Sequence, residues 1–158
     1  MPMNESLPLR SGPRPRTTPT NPHTQLDQQP PDALQRDLLA HEIFALPYVS
    51  ERESMISVPG ARALWLERTE GAPADAFMIG AEFAHLHPGN DQSLHVMLPP
   101  DLAVHAVETG WAEQHPVARM GLIPGNAVML YAPRNDSERA IVTKLVMAAH
   151  SYAIGTKE

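Results

Sequence analysis

The sequence predicts a single α+β domain, a mostly antiparallel sheet packed by two or three helices, preceded by a disordered tail. Three observations carry this. Apolar residues recur at helical spacing in three places, short alternating runs separated by breakers lie between them, and eight of the 17 prolines fall in the first 31 residues. A length of 158 residues suits one domain.

Residues 1–31 contain no Phe, Trp or Tyr. They offer too little apolar surface to offset the entropy of ordering them, so they are expected to be a flexible, protease-sensitive tail with the domain at 32–158. After Asp32, Leu34, Leu38, Leu39, Ile43 and Leu46 form a helical stripe that Pro47 stops. Two β-like runs follow at 54–58 and 61–67, separated by Pro59-Gly60. "RTEGAPADA" at 68–76 is a loop. "PPD" at 99–101 opens a helix, because proline at a first turn costs no hydrogen bond and Asp101 suits the positive end. Its stripe is Leu102, Ala103, Ala106 and Val107, and Gly110 ends it. A strand is expected at 127–132. Asn135 and Glu138 then have the form of a capping box before a helix burying Ile141, Val142, Leu145, Ala148, Ala149 and Tyr152 and ending at Gly155.

The most informative stretch is "EFAHLHPGNDQSLHVMLP" at 82–99. Pro88 to Gln92 read as a hairpin loop. If His87 faces Ser93, then His85 faces His95. One sheet face then carries Phe83, His85, His87, Ser93, His95 and Met97, and the other Glu82, Ala84, Leu86, Leu94, Val96 and Leu98. A shift by one residue would destroy this separation of histidine face from apolar face. Three imidazoles on one face are open to two chemistries: proton handling near neutral pH, or metal ligation by His85, His87 and His95. His115, in "GWAEQHP", can share a face with Trp111 and Glu113 if that stretch is extended. Glu82 at the edge of an apolar face needs either a raised pKa or a partner, for which Arg134 is the natural candidate. His23 falls in the tail, while His41, His105 and His150 project to polar or marginal helix positions and are expected to be solvated.

The net charge is −6, with +1 in the first 31 residues and therefore −7 in the remainder. An acidic domain argues against nucleic acid and anionic membranes as partners. There is no cysteine, which excludes disulfides, thiolate metal sites and cysteine nucleophiles. No apolar leader is visible and no run approaches the roughly 20 residues that span a bilayer. The expectation is a soluble cytoplasmic protein acting on a small molecule; its oligomeric state cannot be read from these features.

"GAEFAHLHP", "SLHVMLP", "GWAEQHP" and "VMLYAPR", in this order over roughly residues 47–156, resemble the luciferase-domain family, named after the luciferases of bioluminescent fungi. The resemblance implies an enzyme of the oxygenase, specifically monooxygenase, kind. Such an enzyme would act on a hydroxypyrone-like or phenolic substrate with O₂ and need no other cofactor. It implies a pocket with His85, His87, His95, His115 and Glu82 as the catalytic set and Trp111, Tyr131 and Arg134 as substrate-binding residues. The fungal enzymes are longer and begin with an apolar segment, where this chain has a polar, proline-rich one. Two alternatives stand beside this reading. One is a cupin-like enzyme with a divalent metal on His85, His87 and His95, although "AVMLYAPRND" lacks the histidine of the second cupin motif. The other is a binding module without catalysis.

Overall fold

Asp32 begins the ordered helical chain by accepting the Leu34 N–H on its carboxylate at 3.0 Å. The computed structural model, which describes residues 7–155, places α1 at Leu34–Ile43. Its buried face is Gln35, Leu39, Ala40 and Ile43, whereas Leu34 and Leu38 of the expected stripe are exposed. Strands β1 (Val49–Glu53) and β2 (Arg62–Leu66) form an antiparallel pair. The strand expected at 54–58 is instead a turn. The Ser54 hydroxyl accepts the N–H groups of Ile56 and Ser57, giving the backbone a local alternative to the ladder. A single 3₁₀ turn, Ala74–Ala76, interrupts the following loop.

Next come β3 (Glu82–Leu86), β4 (Leu94–Met97), α2 (Pro100–Glu108), β5 (Ala112–Gln114) and α3 (Pro116–Arg119), then β6 (Ala127–Leu130) and α4 (Asp136–Ile154). The six strands make one antiparallel sheet in the order β1-β2-β3-β4-β6-β5. The chain is thus a single α+β domain with an antiparallel sheet and four helices. The core lies where Leu64, Ala84, Leu94, Val96 and Val128 of the sheet meet Val142, Leu145, Val146 and Ala149 of α4. Asn135 caps α4 as expected, its side chain accepting the Glu138 N–H, and Gly155 ends it in a left-handed conformation. The Glu138 carboxylate does not complete the box; it turns to the Arg134 backbone and guanidinium.

The hairpin has the expected register: His85 faces His95, Leu86 faces Leu94, and the His87 N–H bonds the Ser93 carbonyl. One part of the face assignment is inverted. Trp65 pairs with Glu82 but Leu64 with Ala84, so Phe83 is the extra residue of a β-bulge. The bulge sends Phe83 into the helix-packed core, 6.0 Å from the His150 ring, and turns Glu82 to the histidine side.

The expectation of a free tail fails over 7–31, the part of that segment within the described residues. Leu7 is buried in the core cluster, and Arg10, His23 and Gln25 are each less than 8% exposed. The indole of Trp111 donates to the Pro8 carbonyl at 2.6 Å, Arg10 N–H to the Thr109 carbonyl, and Arg14 to the Ala112 carbonyl. A short antiparallel bridge, Thr17 to Gln25, folds the segment back on itself. Hydrogen bonds to otherwise open backbone groups order this stretch in place of an apolar face, and its prolines reduce the entropy lost on docking. Residues 7–31 are therefore expected to resist limited proteolysis as long as the rest of the chain does. Early cleavage between Arg10 and Arg16 by trypsin would contradict this packing.

Candidate functional site

The histidine face is built across the sheet. The row Ala63, His85, His95, Met129, Glu113 runs through β2, β3, β4, β6 and β5, and His115 lies beside Ala127 just beyond β5. The hairpin alternation puts His87 two residues from His85 on the same side, its ring 5.0 Å from that of His85. His23 reaches the face from the N-terminal segment and stacks on His95 with centroids 5.0 Å apart. These rings wall a cavity of about 610 Å³ also lined by Pro22, Val58, Met78 and Asp91.

Partners fix the tautomers. His85 donates from Nδ1 to Glu82 at 2.8 Å, which leaves Nε2 as a lone pair. Glu82 also accepts from the Ser54 hydroxyl and the Met55 N–H, so all its partners are local, and Arg134 is not one of them. The Ser93 hydroxyl donates to Asp91 at 2.7 Å, so it accepts from His87 Nδ1, and His87 Nε2 is also a lone pair. His115 Nδ1 accepts the Val117 N–H at 3.0 Å, which leaves the proton on Nε2. The inner nitrogens converge: His95 Nδ1 lies 3.1 Å from His85 Nε2 and 3.0 Å from His87 Nε2. On the other edge of the ring, His95 Nε2 is 3.0 Å from His23 Nδ1, and His23 Nε2 is 2.6 Å from Glu113.

Burial keeps His87, His95 and His115 neutral. Desolvation, with His85 beside it, pushes His87 down to about 3. His95 is held well below the ordinary histidine range by burial and by its histidine neighbours. Burial and the proximity of His23 take His115 to about 4. Burial alone would raise Glu113, but hydrogen bonds from His23, Tyr131 and Thr17 outweigh it and hold Glu113 below the usual carboxylate range. Tyr131 is pushed up to about 12 by burial and by its bond to Glu113, so it remains a neutral donor.

The structure thus brings together Glu82, His85, His87, His95 and His115. Trp111, Tyr131 and Arg134 lie outside the cavity wall and hold the N-terminal segment. Trp111 bonds Pro8, Tyr131 receives Arg14, and Arg134 donates to the Ser11 carbonyl and to Gln28 while paired with Glu138. His150 and His105 are not free in solvent either: His150 donates to the Pro47 carbonyl, and His105 Nε2 accepts the Leu7 N–H. Sequence reasoning missed His23, along with the part Glu113 plays in holding it. The available signal was faint, an Asn21-Pro22 turn between the β-compatible pairs Thr17-Thr18 and Thr24-Gln25.

Acid should loosen the segment that supplies His23. Glu113 and Glu138 have folded pKa values below their unfolded value of 4.5. The stability they contribute is present above 4.5 and is lost as pH falls through the lower folded values. The neutral buried His87 and His95 act in the same direction from higher pH, because the unfolded chain takes up protons below 6.5 that these rings refuse. In a Trp65→Phe background, Trp111 emission is expected to shift to the red as pH falls below 4.5. Unchanged emission down to about pH 3 would show that these carboxylates do not hold the segment.

The model of the family described as "Luciferase domain" matches residues 80–149, which hold every predicted site residue. A luciferase of Armillaria gallica is 29% identical over 164 residues, covering 92% of this chain and 60% of that protein. Luciferases of Armillaria mellea and Neonothopanus nambi are each 36% identical over 74 residues, covering 45% of this chain and 27% of theirs. The chain therefore spans less than two thirds of the length of these relatives. No solved structure matches it. Among the described residues, no helix is long and apolar enough to cross a membrane.

Proposed function

We propose, from the match of residues 80–149 to the luciferase-domain model, that the histidine cavity binds a small electron-rich enol or phenol, of hydroxypyrone or catechol type, and promotes its reaction with O₂. One observation carries the reading: a cavity of about 610 Å³ is walled by imidazoles whose free lone pairs and single N–H are set by buried partners. An enol reacts with O₂ as its enolate, so the site must favour loss of the hydroxyl proton. The lone pairs of His85 and His87 are placed to receive that hydroxyl. Desolvation keeps His87 unprotonated in the free protein, and a bound anion offsets that cost only once the enolate has formed. His115 Nε2–H supplies a donor for the negative oxygen that develops. The position is cytoplasmic and no membrane or nucleic acid partner is involved on this reading.

The test is O₂ uptake by the full chain with a panel of hydroxypyrones and catechols. Uptake that saturates with substrate supports the proposal. Saturable binding of the same probes without O₂ uptake would make the protein a binding module, and absence of both would move the site elsewhere.

A further inference from the structure

We infer that His85 Nε2, His87 Nε2 and His95 Nδ1 together bind one divalent first-row transition-metal ion on the cavity wall. The inference concerns the same cavity as the proposed oxygen chemistry and rests on that reading only for the use made of the ion.

The first argument is the count of lone pairs against protons. Glu82 takes the proton-bearing edge of His85, and Ser93, backed by Asp91, takes that of His87. If His23 donates to Glu113 and accepts from His95 Nε2, then all three inner nitrogens are lone pairs facing one another. These side chains are 2–4% exposed, so water does not relieve the repulsion. The alternative puts a proton on His95 Nδ1 and a second one on His23. That proton serves one of the two facing lone pairs at full strength and leaves the other underused. A metal ion satisfies all three.

The second argument is geometry. The three nitrogens lie within 4.8 Å of one another, with two separations of 3.0 and 3.1 Å. Nitrogens about 2.0–2.1 Å from a tetrahedral ion lie roughly 3.3 Å apart, so the two separations to His95 need only a few tenths of an ångström of expansion. Third, every ligand is oriented from behind: a carboxylate on His85, a hydroxyl–carboxylate pair on His87, and His23 with Glu113 on His95. That outer arrangement is what holds imidazole ligands in a fixed tautomer. A set of neutral imidazoles suits zinc, iron, copper or nickel better than magnesium or calcium. A second trio, His23, His95 and His115, is also close enough. It lacks a third lone pair, because Val117 fixes His115 with its proton on Nε2.

The experiment strips the full chain with a chelator and titrates it with Co²⁺, reading the visible absorption of the bound ion and its displacement by Zn²⁺. One equivalent per chain is expected, with bands of a nitrogen-rich, low-coordinate site. His85→Ala, His87→Ala and His95→Ala should each abolish the bands. Glu82→Gln, which is isosteric and keeps the three ligands, should retain stoichiometry with affinity lowered about 10–100-fold. His115→Ala should leave stoichiometry and spectrum unchanged. Uptake well below one equivalent by the folded wild-type chain would overturn the inference and leave the proton-bridged cluster in its place. So would full binding by the His95 variant, or loss of binding in the His115 variant. Failure to take up Co²⁺ by a chain that still consumes O₂ would overturn this inference while leaving the proposed function standing. Should an alanine variant fail to fold, the Glu82→Gln affinity and the His115→Ala spectrum still decide.

Discussion

Replacing His95 by alanine is expected to slow O₂ consumption with the best hydroxypyrone or catechol probe by about 10²–10⁴-fold, the range for loss of a proton-handling group. His95 is the residue through which the others meet: its ring touches His85 and His87 on one edge and His23 on the other. On a polar face open to solvent, His→Ala would cost about 1 kcal/mol or less. The structure raises that figure. His95 is 4% exposed, and its removal takes the partner from the buried His23 Nδ1 and leaves a void among the rings, at about 1–3 kcal/mol. A melting temperature lower by a few degrees should accompany the loss of turnover, since about 2–4 °C corresponds to 1 kcal/mol in a domain of this size. His41→Ala, on the exposed side of α1, is the control and should change neither quantity. Full turnover in the His95 variant would remove the cluster from the chemistry.

Deleting residues 1–31 should have the largest effect on the fold. The deletion strips Leu7 from the core, removes the acceptor of the Trp111 indole, and leaves the Ala132 N–H without the Gln25 side chain that receives it. It also takes from Glu113 both Thr17 and His23. Several buried groups lose their partners at about 1–3 kcal/mol each, so the cost is a large part of a total stability of roughly 5–15 kcal/mol. The shortened chain is expected to melt at least 10 °C lower on the same scale, to bind hydrophobic dyes, and to lose turnover because the cavity has lost a wall. A shortened chain that melts with the intact one would return these residues to the status of a tail.

The hairpin was legible because its signal is periodic. Alternation on both sides of "PGNDQ" leaves one register that separates imidazoles from aliphatics, and His85 does face His95. What periodicity cannot register is a single extra residue. The bulge reverses Phe83 and Glu82, so a carboxylate that looked stranded on an apolar face is the orienting partner of His85. The N-terminal segment was misread for a different reason. Composition measures how much apolar surface a stretch can bury, while Arg10, Arg14 and Gln25 hold theirs by bonding backbone groups far away in sequence. The same blindness hid His23. Tyr131 and Arg134 sit where the strand pattern puts them, but which partner each would find depended on the path of that segment.

The long reach of those contacts also sets the timing of assembly. Arg14 meets Ala112 across 98 residues and Arg134 meets Ser11 across 123. On a ribosome the segment carrying His23 is made first, yet its docking surface on β5 and β6 is made late. The hairpin, whose histidines are at most ten residues apart, forms as soon as it emerges. A nascent chain therefore carries the three hairpin imidazoles before His115 is made and before His23 docks, and the N-terminal segment is held only when synthesis has passed Arg134. An unfinished or arrested chain therefore lacks the wall of the cavity that His23 supplies.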